Sequence, residues 1–314
     1  MLIILNFQDR GIILVHVCMQ ASVIKVICHL LGHGLDFFLQ KFVRIFFGAF
    51  FVILNFEFCF LKGKRNSLMI KFLYNFFLRN RLVLFYDSKQ IISPSDIPQA
   101  KFEERLNARK RGIHPIELKE QRRIHAGDQY VSYIYNILFQ NTKETKQFTN
   151  YEFKLFSNFS AMWDSLKEKE AAVGLCRFCS GYGWPWTSKE NPEQPDIHLE
   201  GHDMWWNRQT GGWLQNSKAK YEMGSIYSLA GLDLNYVAVV IGPDLYYDAQ
   251  DHKIKVNRNN YFDNKVKQGV TEEELTAFLL DTYAVLMTRG ILGTYIYVCD
   301  PSLRQYIEKF IPPA

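Results

Sequence analysis

The stretch "GLDLNYVAVVIGPDL", Gly231–Leu245, decides the fold. Its core, "YVAVVIG" (Tyr236–Gly242), is a near-continuous apolar run that stops at a glycine. A strand with one wet face alternates apolar and polar residues. A strand covered on both faces does not, and that is the pattern of a central strand in a parallel sheet. The polar turn "GSIYSLAGLD" (Gly224–Asp233) leads into it and holds a glycine and an acid.

The segments on either side alternate between strand and helix signals. Downstream, Thr271 with Glu274 three residues later forms a capping box. Leu275, Phe278, Leu279, Tyr283 and Leu286 then fall on one helical face. Gly290 stands where a left-handed C-terminal residue belongs. "TYIYVCD" reads as a last strand and "SLRQYIEKF" as a last helix. Upstream, "RLVLFYDSKQ" (Arg81–Gln90) reads as a strand and its exit loop, and "SPSDIP" as a turn. Residues 101–123 carry many charges and read as a solvated helix and an arm. "GDQYVSYIYNILF" has Val131, Ile134, Tyr135 and Leu138 at helical spacing. "YEFKLFSN" alternates as a strand, "SAMWDSLKEKEAAVG" is a helix ending near Gly174, and "LCRFCSGY" and "DIHLE" are strands. Strands alternating with helices predict an α/β fold with a mostly parallel sheet.

Composition divides the chain. The 314 residues are 48% hydrophobic and 22% charged with a net charge of +5, which permits contact with nucleic acid without arguing for it. Yet residues 1 to about 82 are rich in Phe, Leu and Ile and hold only Asp9, Asp36 and Glu57 as acids. "IFFGAFFVILNF" (Ile45–Phe56) is the most membrane-like piece, about a dozen residues where a spanning helix needs roughly 20. No basic start or small-residue cleavage site marks a secretory leader. The expectation is an aberrant or poorly ordered segment at 1–80 and no stable membrane association. Six cysteines without a secretory pattern read as reduced thiols in a cytoplasmic protein.

The helix end "VLMTRG" places Arg289 before a glycine. A lone arginine there complements the helix C-terminus, but a planar guanidinium also suits a phosphate. The company decides. "VLMTRG" resembles the last motif of superfamily 1 helicases, whose arginine reaches the γ-phosphate, and "AGLDLNYVAVVIG" resembles the motif before it. "GYGWPWTSK", "DIHLE", "WWN", "LDLNYVAVVIGPDLYYD", "NYFDNKVK", "RGILGTYIYVCD" and "LRQY" follow one another in an order that resembles the Schlafen group 3-like DNA/RNA helicase domain, from about Arg81 to Ile311.

That resemblance implies a RecA-like P-loop NTPase second lobe at 115–314, preceded at 81–114 by a remnant of the first lobe and a linker. It implies ATP and Mg2+ as cofactors and DNA or RNA as partner. Arg289 and Arg123 would bind the γ-phosphate, and Gln90, after Asp87, would sense it. Gly231 and Asp233 would line the nucleotide. Ser228 and Tyr227 would meet nucleic-acid backbone.

Two departures qualify the implication. The family pattern before the glycine is His-Thr-x-Gln-Gly, whereas this chain has Tyr227-Ser228-Leu229-Ala230-Gly231. Nor does the chain contain G-x-x-x-x-G-K-[ST]; "KGKRNS" (Lys62–Ser67) is nearest, with the wrong spacing, and no apolar strand ends in Asp-Glu. The expectation is a chain that does not turn over ATP alone and works with a separate or missing first ATPase lobe. The alternative is a non-catalytic nucleic-acid-binding module or a membrane-tethered degenerate lobe.

Cys176-x-x-Cys179 followed by His198-x-x-x-His202 has the order of a zinc finger. The gap is long, and a strand would point the two cysteines to opposite faces, so zinc is not favoured. Trp184, Trp186, Trp205 and Trp206 have the type of a base-stacking platform, but aromatic pairs more often serve core or surface packing, and none of the four is singled out for nucleic acid.

Overall fold

The computed structural model describes residues 2–5, 13–15, 81–107, 113–117, 121–208, 212–229 and 231–314. The expectations for Ile45–Phe56, Lys62–Ser67 and Ala230, and most of the 1–80 segment, lie outside these. The chain divides into two compact units, Met1–Tyr86 with Ser95–Glu117, and Asp87–Pro94 with Leu118–Ala314.

The smaller unit contains strands β1 (Leu2–Leu5), β2 (Ile13–Val15), β3 (Arg81–Phe85) and β4 (Ile113–Ile116), in the order β2-β3-β1-β4. Its helix α1 (Gln99–Asn107) follows the turn read from "SPSDIP". The Tyr86 ring stacks on Phe102 with centroids 3.8 Å apart, and its hydroxyl donates to the Ile97 carbonyl.

The larger unit is built on seven strands: β5 (Glu152–Phe156), β6 (Cys176–Ser180), β7 (Ile197–Leu199), β8 (His202–Trp206), β9 (Glu222–Gly224), β10 (Leu234–Ile241) and β13 (Gly290–Val298). Their order is β5-β13-β10-β6-β9-β8-β7. Every neighbouring pair is parallel except β7 with β8, a hairpin at the edge. The fold is therefore α/β with a mostly parallel sheet, compatible with a RecA-like lobe. The strand read from "YVAVVIG" lies inside it, between β13 and β6, and Val237 to Ile241 are fully buried.

Both faces are covered, which is why β10 lacks alternation. Val237, Val239 and Ile241 pack with helices α2 (Gly127–Leu138), α4 (Ile226–Leu229), α6 (Glu272–Met287) and α7 (Pro301–Ile307). Ala238 and Val240 pack on the opposite face with α3 (Phe159–Val173) through Phe159, Met162 and Leu166. Each of these except Ala238 contributes about 1.5–3 kcal/mol when fully buried. A hairpin of β11 (Leu245–Asp248) and β12 (Lys253–Val256), then the short helix α5 (Asn264–Lys267), lead to α6.

The capping box holds: Thr271 Oγ1 accepts from the Glu274 amide, and Glu274 Oε2 accepts from the Thr271 amide. The face of α2 differs from the expected one. Tyr130, Tyr133, Ile134, Ile137 and Leu138 are buried, whereas Val131 and Tyr135 are only partly so. Tyrosine reads as half-polar in sequence, but here the Tyr130 and Tyr133 hydroxyls donate to the Met287 and Phe310 carbonyls, which permits burial.

Gly290 is a second correction. It does not occupy the left-handed region but opens β13. The register steps from Leu234↔Gly290 to Tyr236↔Gly293, so β13 carries one extra residue, a bulge. A Cβ on Gly290 would lie 2.1 Å from the Gly293 carbonyl oxygen, so the bulge itself demands glycine.

Candidate anion-binding site

The C-terminal end of α6 delivers Arg289 to the amino-terminal edge of β10 and β13. A helix end leaves carbonyls without intrahelical partners, and here side chains meet them. Met287 O accepts from the Tyr130 hydroxyl and from Thr294 Oγ1, both at 2.9 Å. Thr288 O accepts from Arg123 Nη2 at 2.7 Å, and Arg289 O accepts from the Leu234 amide at 3.1 Å. The basic residue at the helix C-terminus is thus Arg123, from 165 residues away. It is not Arg289.

Arg123 is itself fixed from below. Gln121 Oε1 accepts from the Arg123 and Ile124 amides, and Asp128 in the first turn of α2 accepts from the Gln121 amide. Its Nη1 pairs with Asp233 Oδ1 at 3.3 Å.

Arg289 is 5% exposed. Its Nε is buried and has no hydrogen-bond partner among the described residues, nor does a described carboxylate pair with its guanidinium. Burial, and then repulsion from Arg123, pull its pKa down to about 10; Asp233 opposes this. The group therefore stays cationic at neutral pH, buried, beside a second cation.

Gly231 and Asp233 come from the turn before β10. The short helix α4 ends, Gly231 takes φ +75°, and the Leu232 amide donates to the Leu229 carbonyl. A left-handed residue reverses the chain there at no steric cost only as glycine. Asp233 follows with its side chain half exposed.

The other expected residues lie apart from this pair of arginines. Ser228 Oγ donates to the Ser225 carbonyl and accepts from the Ser225 amide, so its hydroxyl is used inside the turn. Tyr227 is 48% exposed, with its hydroxyl 3.4 Å from Asp263 Oδ2 and its ring edge-on to Tyr182. Gln90 Nε2 donates to Asp87 Oδ2 at 2.9 Å. Its loop docks on α2, where the Tyr135 hydroxyl donates to the Lys89 carbonyl. Burial, with Asp281 and Asp87 adding to it and Arg289 opposing, raises the Tyr135 pKa. Among the described residues Gln90 makes no hydrogen bond to either arginine.

Sequence reasoning missed Thr288, whose carbonyl anchors Arg123, and Asp281, which burial pushes up to about 7 with help from Asp87. No local pattern signals either. At the zinc-like residues, Cys176 and Cys179 pack into cores on opposite faces of the sheet. His198 pairs with Asp203 and His202 with Ser160 Oγ. Among the described residues no three metal-ligating side chains are grouped, and no helix is long and apolar enough to cross a membrane.

Against known proteins, the sequence profile of a family described as Schlafen group 3, DNA/RNA helicase domain, matches residues 70–300. An uncharacterized protein of Saccharomyces cerevisiae is 31% identical over 172 residues, which are 51% of this chain and 37% of the yeast protein. The chain therefore spans little more than a third of that relative's length. No solved structure matches.

Proposed function

The chain belongs to the Schlafen group 3, DNA/RNA helicase domain family, and from that membership we propose that it is the phosphate-reading lobe of an ATP-dependent helicase-like protein. The observation that supports this most is the buried, unpartnered guanidinium of Arg289 beside Arg123. A buried charge without a counter-ion costs several kcal/mol, and a terminal phosphate between the two arginines removes that cost. The site fits the phosphate end of ATP; when bound, ATP supplies the phosphoanhydride bond that drives such proteins. Arg289 neutralises charge developing on the terminal phosphate. Arg123, held by the Thr288 carbonyl, orients that phosphate. Gly231 and Asp233 line the nucleotide, and Gln90 reads its state through the Asp87 loop.

The nucleic-acid partner meets the α4 turn. The exposed Tyr227 ring takes that role more readily than Ser228, whose hydroxyl is already engaged. Among the described residues no three metal-ligating side chains are grouped, and no residue is named for Mg2+. With no P-loop motif in the sequence, the reading is phosphate and nucleic-acid binding without turnover by this chain alone.

Tripolyphosphate titration of the full chain tests it. We expect Arg289→Met to weaken binding about ten- to hundredfold, the worth of a hydrogen-bonded charge pair. Its ligand-free form should also melt above the wild type, because a buried unpaired charge is gone. Equal affinity in both proteins sinks the phosphate reading. ATP hydrolysis stimulated by single-stranded DNA and lost in Arg289→Met would overturn the claim that the chain does not turn over.

A further inference from the structure

The site contains an anion of its own. Asp233 Oδ1 lies 3.3 Å from Arg123 Nη1, while Arg289 has no such partner among the described residues. The carboxylate is delivered to that spot by backbone tied on both sides. The Leu232 amide donates to the Leu229 carbonyl before it, and the Leu234 amide donates to the Arg289 carbonyl after it. The Asp233 side chain is 50% exposed, so it can leave for water at little cost. Arg123 keeps its place when that happens, because Nη2 remains bonded to the Thr288 carbonyl.

Building on the phosphate reading of the two arginines, we propose that Asp233 is an internal counter-anion that competes with incoming ligands for Arg123. It holds Arg123 until an incoming group displaces it. A weakly charged anion gains little by replacing a carboxylate that is already paired. A terminal phosphate carries more charge, reaches Arg289 as well, and wins the exchange. On this account Asp233 opposes the phosphate end of the ligand, so its removal tightens binding. A residue that only lined the nucleotide would have the opposite effect, or none on a ligand without a ribose.

The test titrates tripolyphosphate and sulfate into wild type, Asp233→Asn, Asp233→Glu, Arg123→Ala, Arg289→Met and the Arg123→Ala/Asp233→Asn double variant at one ionic strength. Exposed ion pairs are worth up to about 1 kcal/mol, so Asp233→Asn should bind tripolyphosphate roughly three- to fivefold more tightly. Sulfate should gain by a similar factor, because displacing the carboxylate costs each ligand the same. Asp233→Glu, which keeps the charge, should stay near the wild type. In the Arg123→Ala background the Asp233→Asn gain should vanish. Weaker or unchanged binding by Asp233→Asn, with Arg289→Met still impaired, overturns this proposal alone. An equal gain with and without Arg123 overturns it too, since the effect would then be general repulsion. Binding indifferent to Arg289→Met, or absent in every variant, removes the phosphate reading and this proposal with it.

Discussion

Gly290→Ala should unfold the larger unit more readily than any conservative change at its surface. The new methyl would sit 2.1 Å from the Gly293 carbonyl oxygen and 3.3 Å from Thr294 Oγ1. The nearer atom is backbone, inside the bulge that sets the register of β13 against β10. A flexible side chain could turn away; a ladder carbonyl cannot move without breaking its neighbours. Overpacking in a filled core costs about 1–3 kcal/mol, and the backbone shift adds to that. A loss of at least about 3 kcal/mol follows, or roughly 6–12 °C in Tm for a unit of this size. The same peptide carries the Arg289 carbonyl to the Leu234 amide, so tripolyphosphate affinity should fall together with stability. Urea unfolding of the variant decides it: an unfolding free energy within about 1 kcal/mol of the wild type would show that the bulge relaxes freely.

That glycine also marks where sequence reading succeeds and where it stops. The capping box of α6 was legible because Thr271 and Glu274 lie three residues apart and act on each other. The burial of β10 on both faces was legible because seven consecutive residues carry it. Gly290 was not. The left-handed stop and the bulge both select glycine, and only the pairing with β10 tells them apart. The arginines divide in the same way. Arg289 was found by its place before a glycine at a helix end, a pattern local to six residues. That Arg123 takes over the helix-end carbonyl, and leaves Arg289 unpaired, depends on a contact across 165 residues. The face of α2 was misjudged at Val131 and Tyr135 for a related reason. The hydroxyls that make Tyr130 and Tyr133 buriable find acceptors at Met287 and Phe310, far along the chain.

Asp244, two residues past the glycine that ends the apolar run, should dominate the pH dependence of stability. It is fully buried; the Tyr283 hydroxyl donates to its Oδ1 at 2.7 Å, and its Oδ2 has no partner among the described residues. Burial pushes its pKa up to about 7, against a smaller opposing effect of the Tyr283 hydrogen bond. In the unfolded chain the same group ionises near 3.9. Between these values the folded state binds more protons than the unfolded state, so stability falls as pH rises from about 4 to about 7 and levels off above. Asp281, pushed up to about 7 by burial and by Asp87, acts in the same direction. Glu152 acts in the other, and in a different window. Burial would raise its pKa, but bonds from Lys169, Tyr295 and Tyr236 together outweigh that and hold it near 2, so its stabilisation is lost only as pH falls from about 4 toward 2.

Maximum stability is therefore expected near pH 4–5, with a decline on the order of 4 kcal/mol from Asp244 alone by pH 7. Asp244→Asn keeps an acceptor for Tyr283 but leaves a buried amide N–H without a partner, so its absolute stability at low pH drops. Its slope is the informative quantity. Urea midpoints from pH 4 to 8 should flatten in Asp244→Asn to the part left by Asp281, and a slope equal to the wild type would show that Asp244 is ionised throughout. The Tyr283 hydroxyl also accepts from the Gly242 amide, pinning α6 to the carboxyl end of β10 six residues before Arg289. Ionisation of Asp244 strengthens its bond from the Tyr283 hydroxyl, so the cost of the buried charge falls on the stability of the whole unit and not on this tie.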